Sequence, residues 1–354
     1  MIKVGLVGFG MAARVMHAPF LATLPQYTVT TVLERNREES KQLFPDAQIV
    51  RSLEALLAAD IDLVVITTPN DTHLPYTLQA LAAGKHVVLE KPFTISSPDA
   101  QELIDAAKQS GKVLSVFQNR RYVADFLTIK QILQNELLGP VHEFEAHYDR
   151  YRPQPKPNAW REENLPGSGI LYDLGPHLID QALCLFGLPL QITADIRKQR
   201  SHSVVDDYFD LRLDYGFTKV ILKAGMLVRE HGPRYVIHGT EGSFIKNGED
   251  PQEAILKTGQ LPVTPDWGSE PEEQYGLLHT TINGEAIREI YPSLQGGFGG
   301  YYKNLYETIV NSKPLSEKPE HGYNTIRLIE LAFESHLAQA TIPCTLLNEE
   351  AYPL

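Results

Sequence analysis

Through the first third of the chain, short apolar runs alternate with stretches of helical period. The runs Ile2–Phe9, Thr28–Glu34, Leu63–Thr68, His86–Glu90 and Val113–Phe117 predict buried strands. Between them, Ala12–Leu24, Ser52–Ala59, His73–Gly84 and Pro98–Gly111 predict helices. Ser52 and Ser97 stand where N-caps belong, Pro98 at a first helical position, and Gly84 and Gly111 where helices stop. Strand–helix alternation at this spacing means right-handed crossovers and a parallel sheet.

The period changes near residue 120. Asp125–Leu138 predicts a helix closed by Gly139-Pro140, and Val141–Tyr151 a strand with one wet face. Arg152–Pro166, rich in proline and polar residues, predicts a loop. Leu174–Phe186 is helical. Pro176 suits only a first turn, so this helix is expected to begin near Asp173. From Leu190 to about Lys246, the runs Asp207–Tyr215, Lys219–Val228 and Tyr235–Gly239 predict antiparallel strands. Residues 247–300 carry no clear period, and Tyr301–Asn311 and Tyr323–Ala338 predict two closing helices. The expectation is an α/β domain over residues 1–120, with a doubly wound parallel sheet, and an α+β domain over 121–354 on an antiparallel sheet.

Composition narrows what such a chain does. Its 354 residues exceed what one core usually organises, about 250–300, which fits two domains. A formal net charge of −12 and the lack of any Lys/Arg run argue against nucleic acid or a membrane surface as partner. Cys184 and Cys344 share no CxxC spacing, so two reduced, buried thiols of a cytoplasmic protein are expected. No apolar run reaches the roughly 18–20 residues of a membrane helix. Met1 leads straight into the first strand pattern without a charged leader, so no secretory signal is expected.

Gly8-Phe9-Gly10-Met11-Ala12-Ala13 fits G-x-G-x-x-G/A between the first strand and the first helix. In such a turn the first glycine allows the tight bend and the second lets the backbone approach a pyrophosphate. The small third residue lets helix pack on strand, and the helix N-terminus offers N–H groups and a positive dipole end. This predicts a dinucleotide site. The second strand ends at Glu34, where a carboxylate accepts from a ribose 2′-OH and repels a 2′-phosphate, which favours NAD. Arg35 and Arg37 follow at once, and arginine there can cradle a 2′-phosphate, so NADP stays open.

Glu90-Lys91-Pro92 falls at the C-terminal end of a predicted strand, the edge at which open α/β sheets bind ligands. Proline after lysine keeps that lysine extended. Further on, Asp173, His177 and Asp180 recur at helical spacing after the glycine-rich Gly167-Ser168-Gly169, a polar stripe on an otherwise apolar helix. The alternatives are a solvated lysine, Asp173 as an N-cap and His177 as a satisfied core histidine.

Together these marks resemble the glucose–fructose oxidoreductase/inositol dehydrogenase family, written Gfo/Idh/MocA, along nearly the whole chain. They are Gly8-x-Gly10-x-x-Ala13, Thr68-Pro69-Asn70-x-x-His73, Glu90-Lys91-Pro92 and Asp173-x-x-x-His177. Gln118-Asn119-Arg120-Arg121, Tyr151-Arg152-Pro153, Trp160-Arg161-Glu162 and Gly232-Pro233-Arg234-Tyr235 are similar to its scyllo-inositol dehydrogenase (NADP+)-like branch. Glu34 departs from that branch, whose NADP-using members tend to carry a small residue there. The resemblance implies a Rossmann domain and a second domain with a large open sheet, often used to build homodimers or homotetramers. It implies a cofactor set of Gly8, Phe9, Gly10, Met11, Ala12 and Ala13, with Glu34 and Arg35. Thr67, Thr68, Pro69, Asn70, His73, Glu90 and Lys91 complete that set. It also implies that Lys91, Asp173 and His177 form the catalytic group.

The chemistry expected is reversible hydride transfer between NAD or NADP and a secondary alcohol of a polyol or sugar. His177 titrates nearest neutrality and suits a general base, Lys91 suits a developing alkoxide, and Asp173 tunes both. Whether His177 or Lys91 takes the proton stays open. Asn119, Arg120, Tyr148, Trp160, Arg161 and Tyr235 are candidate substrate contacts, with fold-holding polar structure as the alternative. No metal is called for. Other substrates on the same fold, redox-assisted glycoside cleavage and a dinucleotide-sensing regulator are the rival readings.

Overall fold

The computed structural model describes residues 1–157, 159–347 and 352. Contacts divide the chain into two units. Residues 1–122, 251–268 and 297–323 form the first, and 123–250, 269–296 and 324–354 the second. Residues 251–268 and 297–323 thus group with the first unit, although they follow residue 120.

In the first unit six parallel strands run β1 (Ile2–Val7), β2 (Tyr27–Leu33), β3 (Gln48–Val50), β4 (Leu63–Ile66), β5 (His86–Leu89) and β6 (Leu114–Val116). Their spatial order is β3-β2-β1-β4-β5-β6, the doubly wound Rossmann arrangement. Leu63, Val64, Val65 and Ile66 are all fully buried, as are Val87, Val88 and Leu89. Burial on both faces is why these strands read as unbroken apolar runs. β3 is only three residues long, too short to show a period. The crossover helices are α1 (Ala18–Thr23), α2 (Leu53–Leu57), α3 (His73–Ala82) and α4 (Ser97–Ser110). Ser52 caps α2 as expected, accepting from the Ala55 N–H at 3.2 Å. The cap of α4 is Ser96, not Ser97. The Ser96 side chain accepts from Asp99 N, and its carbonyl takes the Ala100 N–H, so Ser97 is already inside the helix.

The second unit begins with α5 (Ala124–Gln134), β7 (Val141–His147) and α6 (Ile170–Phe186), followed by β8 (Gln191–Arg197), β9 (Tyr208–Asp214), β10 (Lys219–Gly225), β11 (Tyr235–Gly239) and β12 (Gly242–Lys246). Helices α7 (Gln252–Lys257) and α8 (Gly299–Asn311) lie in the first unit's segments. Between them come β13 (Gly276–Ile282) and β14 (Glu285–Tyr291), and α9 (Pro319–Ala338) and β15 (Ile342–Pro343) close the chain. Nine strands form one sheet in the order β14-β13-β12-β11-β7-β10-β9-β8-β15. Only the β7–β10 pair is parallel. Phe209, Leu211 and Leu213 on β9 and Val220, Leu222 and Ala224 on β10 turn inward, while Asp210, Arg212 and Asp214 alternate outward. α6 contributes Leu171, Leu174, Leu178, Ile179 and Leu183 to the core, each burial worth roughly 1.5–3 kcal/mol.

The expected start of α6 near Asp173 is corrected. The helix begins at Ile170 and carries Pro176 in its interior. A proline there forfeits one i→i−4 hydrogen bond. The N-terminus is held instead from outside the helix. The Asp206 carboxylate accepts from Leu171 N at 2.8 Å, and its carbonyl accepts from Ile170 N at 3.0 Å. A second correction is β13–β14, a hairpin in the stretch without clear period. Its turn is Asn283-Gly284, with φ of 53° and 84°, the left-handed pair a two-residue turn needs. No described helix is long and apolar enough to cross a membrane.

Candidate functional site

In the first unit the turns after β1, β4 and β5 share one edge, because parallel strands put all their C-terminal ends together. β1 ends at Val7 and Gly8 bends with φ 87°. A Cβ on Gly8 would come within 3.2 Å of Thr68 and 3.3 Å of Thr67, so this position is closed to side chains. The Thr67 hydroxyl donates to Val7 O at 3.0 Å and locks the two turns together. Gly10 is the opposite case, since a Cβ there would meet nothing within 4 Å. Met11 beyond it is half exposed, and Ala13 is fully buried. A bare backbone facing open space at the start of a helix fits a pyrophosphate, and a buried alanine fits close helix–strand packing.

Four polar members of the expected cofactor set, Glu34, Asn70, His73 and Glu90, are buried. Glu34 is buried, and its carboxylate accepts from Glu39 N and Ser40 N, each at 3.0 Å, and from the Ser40 hydroxyl. It organises the 35–40 loop with three of the roughly four acceptor sites of a carboxylate, which favours that role over the expected one at a ribose hydroxyl. His73 is buried, with Nδ1 2.9 Å from Pro92 O and Nε2 3.0 Å from Thr68 O. It latches the Thr68–Asn70 turn to the Lys91-Pro92 turn, whose peptide bond is cis. Burial pushes the His73 pKa down, against the two carbonyls that favour the protonated ring. Glu90 is buried too and binds the Lys91 N–H through Oε2 at 3.0 Å. Arg35 is exposed and, among the described residues, holds no ion pair, whereas Arg37 is paired with Glu39 at 2.8 Å.

Two candidate substrate contacts lie in this unit. Asn119 is buried beside the Met16 sulfur. Arg120 pairs with Glu253 and lies 5.7 Å over the Phe298 ring. Burial pushes the Glu253 carboxyl up, but Arg120 and Lys257 outweigh it and hold the group down at about 2.

In the second unit, α6 presents Asp173, His177 and Asp180 in successive turns. Asp173 is part exposed and meets Arg161 Nε at 3.1 Å, and Arg161 stacks 4.6 Å over the Trp160 ring. His177 is buried, with the Tyr148 ring edge-on to it at 6.1 Å. The buried Arg234 guanidinium in turn lies 3.2 Å from the centre of the Tyr148 ring. Tyr235 is corrected as a substrate contact. It is fully buried and donates to Gln181 Oε1 at 2.9 Å, because the pleat of β11 aims it into the core.

Sequence reasoning missed Asp206, which holds the N-terminus of α6 from 35 residues away. Gly169, at φ 92°, makes the room, since a Cβ there would sit 2.0 Å from Asp206 Oδ1. Burial, with Asp207 adding, raises the Asp206 carboxyl to about 6 even though the helix N–H groups favour its charged form. The buried contact between His17 Nδ1 and the Tyr302 hydroxyl, at 2.6 Å, was missed as well. Its signal is a histidine two residues before Pro19, at the point where the first helix cannot continue its usual bonding.

The model for the oxidoreductase family's NAD-binding Rossmann fold, GFO_IDH_MocA, matches residues 2–118. The model for its C-terminal alpha/beta domain matches residues 130–343. The chain is 42% identical to scyllo-inositol 2-dehydrogenase (NADP(+)) IolW of Bacillus subtilis strain 168, over 96% of this chain and 95% of that protein. It is 41% identical to the uncharacterized oxidoreductase YdgJ of Escherichia coli K12, over 96% and 98%. Among solved structures, that of the putative oxidoreductase yvaA from Bacillus subtilis superposes with a TM-score of 0.94 at 41% identity, covering 97% of this chain and 98% of that one.

Proposed function

Because the chain belongs to the Gfo/Idh/MocA oxidoreductase family, we propose that it transfers a hydride between NADP and a secondary alcohol of a cyclic polyol or sugar, inositol-like substrates first. The observation that carries this reading is the common edge of the parallel sheet. There the open backbone at Gly10 follows β1, and Lys91 follows β5. A dinucleotide held at the first would leave its reactive end to be served by the second.

Two features support NADP over NAD. Glu34 is turned into its own loop, where the Glu39 and Ser40 donors face its carboxylate and weaken its repulsion of a 2′-phosphate. Arg35, exposed and without an ion pair among the described residues, is a guanidinium available to that phosphate. The Bacillus relative, named as an NADP(+) enzyme, points the same way.

Bound, the nicotinamide supplies the hydride acceptor. His177 takes the hydroxyl proton, and the Lys91 ammonium stabilises the oxygen as negative charge develops on it. Asp173, anchored by Arg161, keeps an anion one helical turn before His177 in this reading. Tyr148, with Arg234 behind it, holds the His177 ring. Trp160 and Arg161 are retained as substrate contacts. A cofactor role for the first unit, and a role in substrate binding and homo-oligomer assembly for the second, belong to the same reading. The test is a panel of inositols, aldoses and short polyols with NAD and NADP separately, followed by absorbance of the reduced nicotinamide. Turnover of a cyclic polyol with NADP is expected, and no turnover of any polyol or sugar would overturn the reading.

A further inference from the structure

The cofactor turn and Lys91 are joined inside the first unit by a buried chain of side chains to which the proposed reaction gives no role. Pro19 has no N–H to return to Val15, and its ring would crowd that carbonyl. The helix answers with a wide π-turn over Ala13–His17, in which Ala18 N–H reaches back to Ala13 O. Such turns re-aim a side chain and recur at functional sites. Here the last residue of the π-turn, His17, has no exposed surface.

Both ring nitrogens of His17 are committed. Nδ1 lies 2.6 Å from the Tyr302 hydroxyl and Nε2 lies 2.8 Å from Glu90 Oε1. The Phe117 ring covers the imidazole at 4.0 Å. The assignment that satisfies every atom has Tyr302 donating to Nδ1 and Nε2–H donating to the carboxylate. The other Glu90 oxygen holds the Lys91 N–H. Burial pushes the Glu90 carboxyl up, yet His17 and Lys91 outweigh it and hold the group below the usual range. A buried carboxylate is costly without such partners, so one histidine fixes Glu90 and through it the backbone of Lys91.

We infer that His17 is a positioning residue for Lys91. The π-turn that starts at Ala13, the last residue of the phosphate motif, ends in the ring that braces the Glu90–Lys91 turn, so the cofactor cradle and the lysine are set by one rigid connection. The inference rests on Lys91 being the cation at the reacting oxygen.

The test is a double-mutant cycle of His17→Phe and Lys91→Met, read by single-turnover hydride transfer from a cyclic polyol that turns over in the panel to saturating NADP+, and by NADPH affinity from fluorescence. His17→Phe in the wild-type background is expected to slow transfer by about 10- to 100-fold, the effect of losing a hydrogen bond to a charged group, with NADPH affinity changed by less than about 3-fold. In the Lys91→Met background the same change is expected to cost nothing further, because its effect passes through the lysine. His17→Gln, which keeps an N–H for Glu90, should recover part of the rate. Tyr302→Phe removes a single hydroxyl and serves where His17→Phe does not fold, with an expected loss of about 3- to 10-fold that also vanishes without Lys91. Equal losses with and without Lys91, or no loss in either background, would overturn the inference. A Lys91→Met enzyme near the wild-type rate would overturn the reading of Lys91 itself, and this is seen from that variant alone.

Discussion

Two helix starts carry the candidate chemistry, and they are held in different ways. At the phosphate turn the backbone is shaped by its own residues: Gly8 bends, Gly10 lies open and Ala13 packs. At the start of α6 the N–H groups of Ile170 and Leu171 are held by Asp206, which arrives from the strand region far along the chain. The first start is a local motif that leaves its N–H groups for a ligand. The second is a tertiary clamp, with its donors already spent, and it aims side chains instead. A helix N-terminus is therefore an anion site only where the fold leaves it unpaired.

Substituting the two glycines should separate these designs. Gly169→Ala places a Cβ 2.0 Å from Asp206 Oδ1 at a φ of 92°, and is expected to destabilise the protein by about 2–4 kcal/mol in urea unfolding. Gly10→Ala meets no protein atom within 4 Å, so stability should stay within about 0.5 kcal/mol. NADPH affinity should nevertheless fall by at least about 10-fold in a fluorescence titration, because the methyl occupies the phosphate's approach. Equal stability losses at both glycines would erase the contrast.

Arg35→Ala sharpens the cofactor side. It should lower kcat/KM with NADP by about 10- to 100-fold and leave that with NAD within about 3-fold, the signature of a lost guanidinium–phosphate pair. A parallel loss with both cofactors would return Arg35 to the solvated surface.

The caps differ in their response to pH. Asp206 has a folded pKa of about 6, above its ordinary value, so the folded state binds the extra proton. Stability from this group is therefore highest below pH 4 and declines as pH rises through 6. Asp206→Asn keeps an acceptor for Leu171 N but cannot titrate, so its stability relative to wild type should improve between pH 4 and pH 7. Ser96→Ala at the local cap of α4 should cost about 1 kcal/mol with no such slope. Equilibrium unfolding of both variants across that range distinguishes them.

The same contrast explains what was legible in the sequence. The phosphate turn and the Lys91 turn are written in consecutive residues, so their place at strand ends could be read directly. Glu34 was placed correctly in the chain but not in its bonding, because its partners Glu39 and Ser40 lie in a loop without a period. The start of α6 was set too late, because its cap is 35 residues away and local capping rules see only neighbours. Tyr235 looked like a polar contact, and the pleat of its strand buries it. β14 escaped because most of its residues on both faces are exposed, which removes the apolar alternation. Only its Asn283-Gly284 turn could have revealed it.

The most direct measurement is single-turnover hydride transfer with cofactor bound, for wild type, Lys91→Met and His177→Ala, using a cyclic polyol that turns over in the panel. The expected result is a fall of about 10²- to 10⁴-fold in each variant, with NADPH affinity close to wild type. Hydride transfer near the wild-type rate in both variants would contradict the assignment of this chemistry to Lys91 and His177.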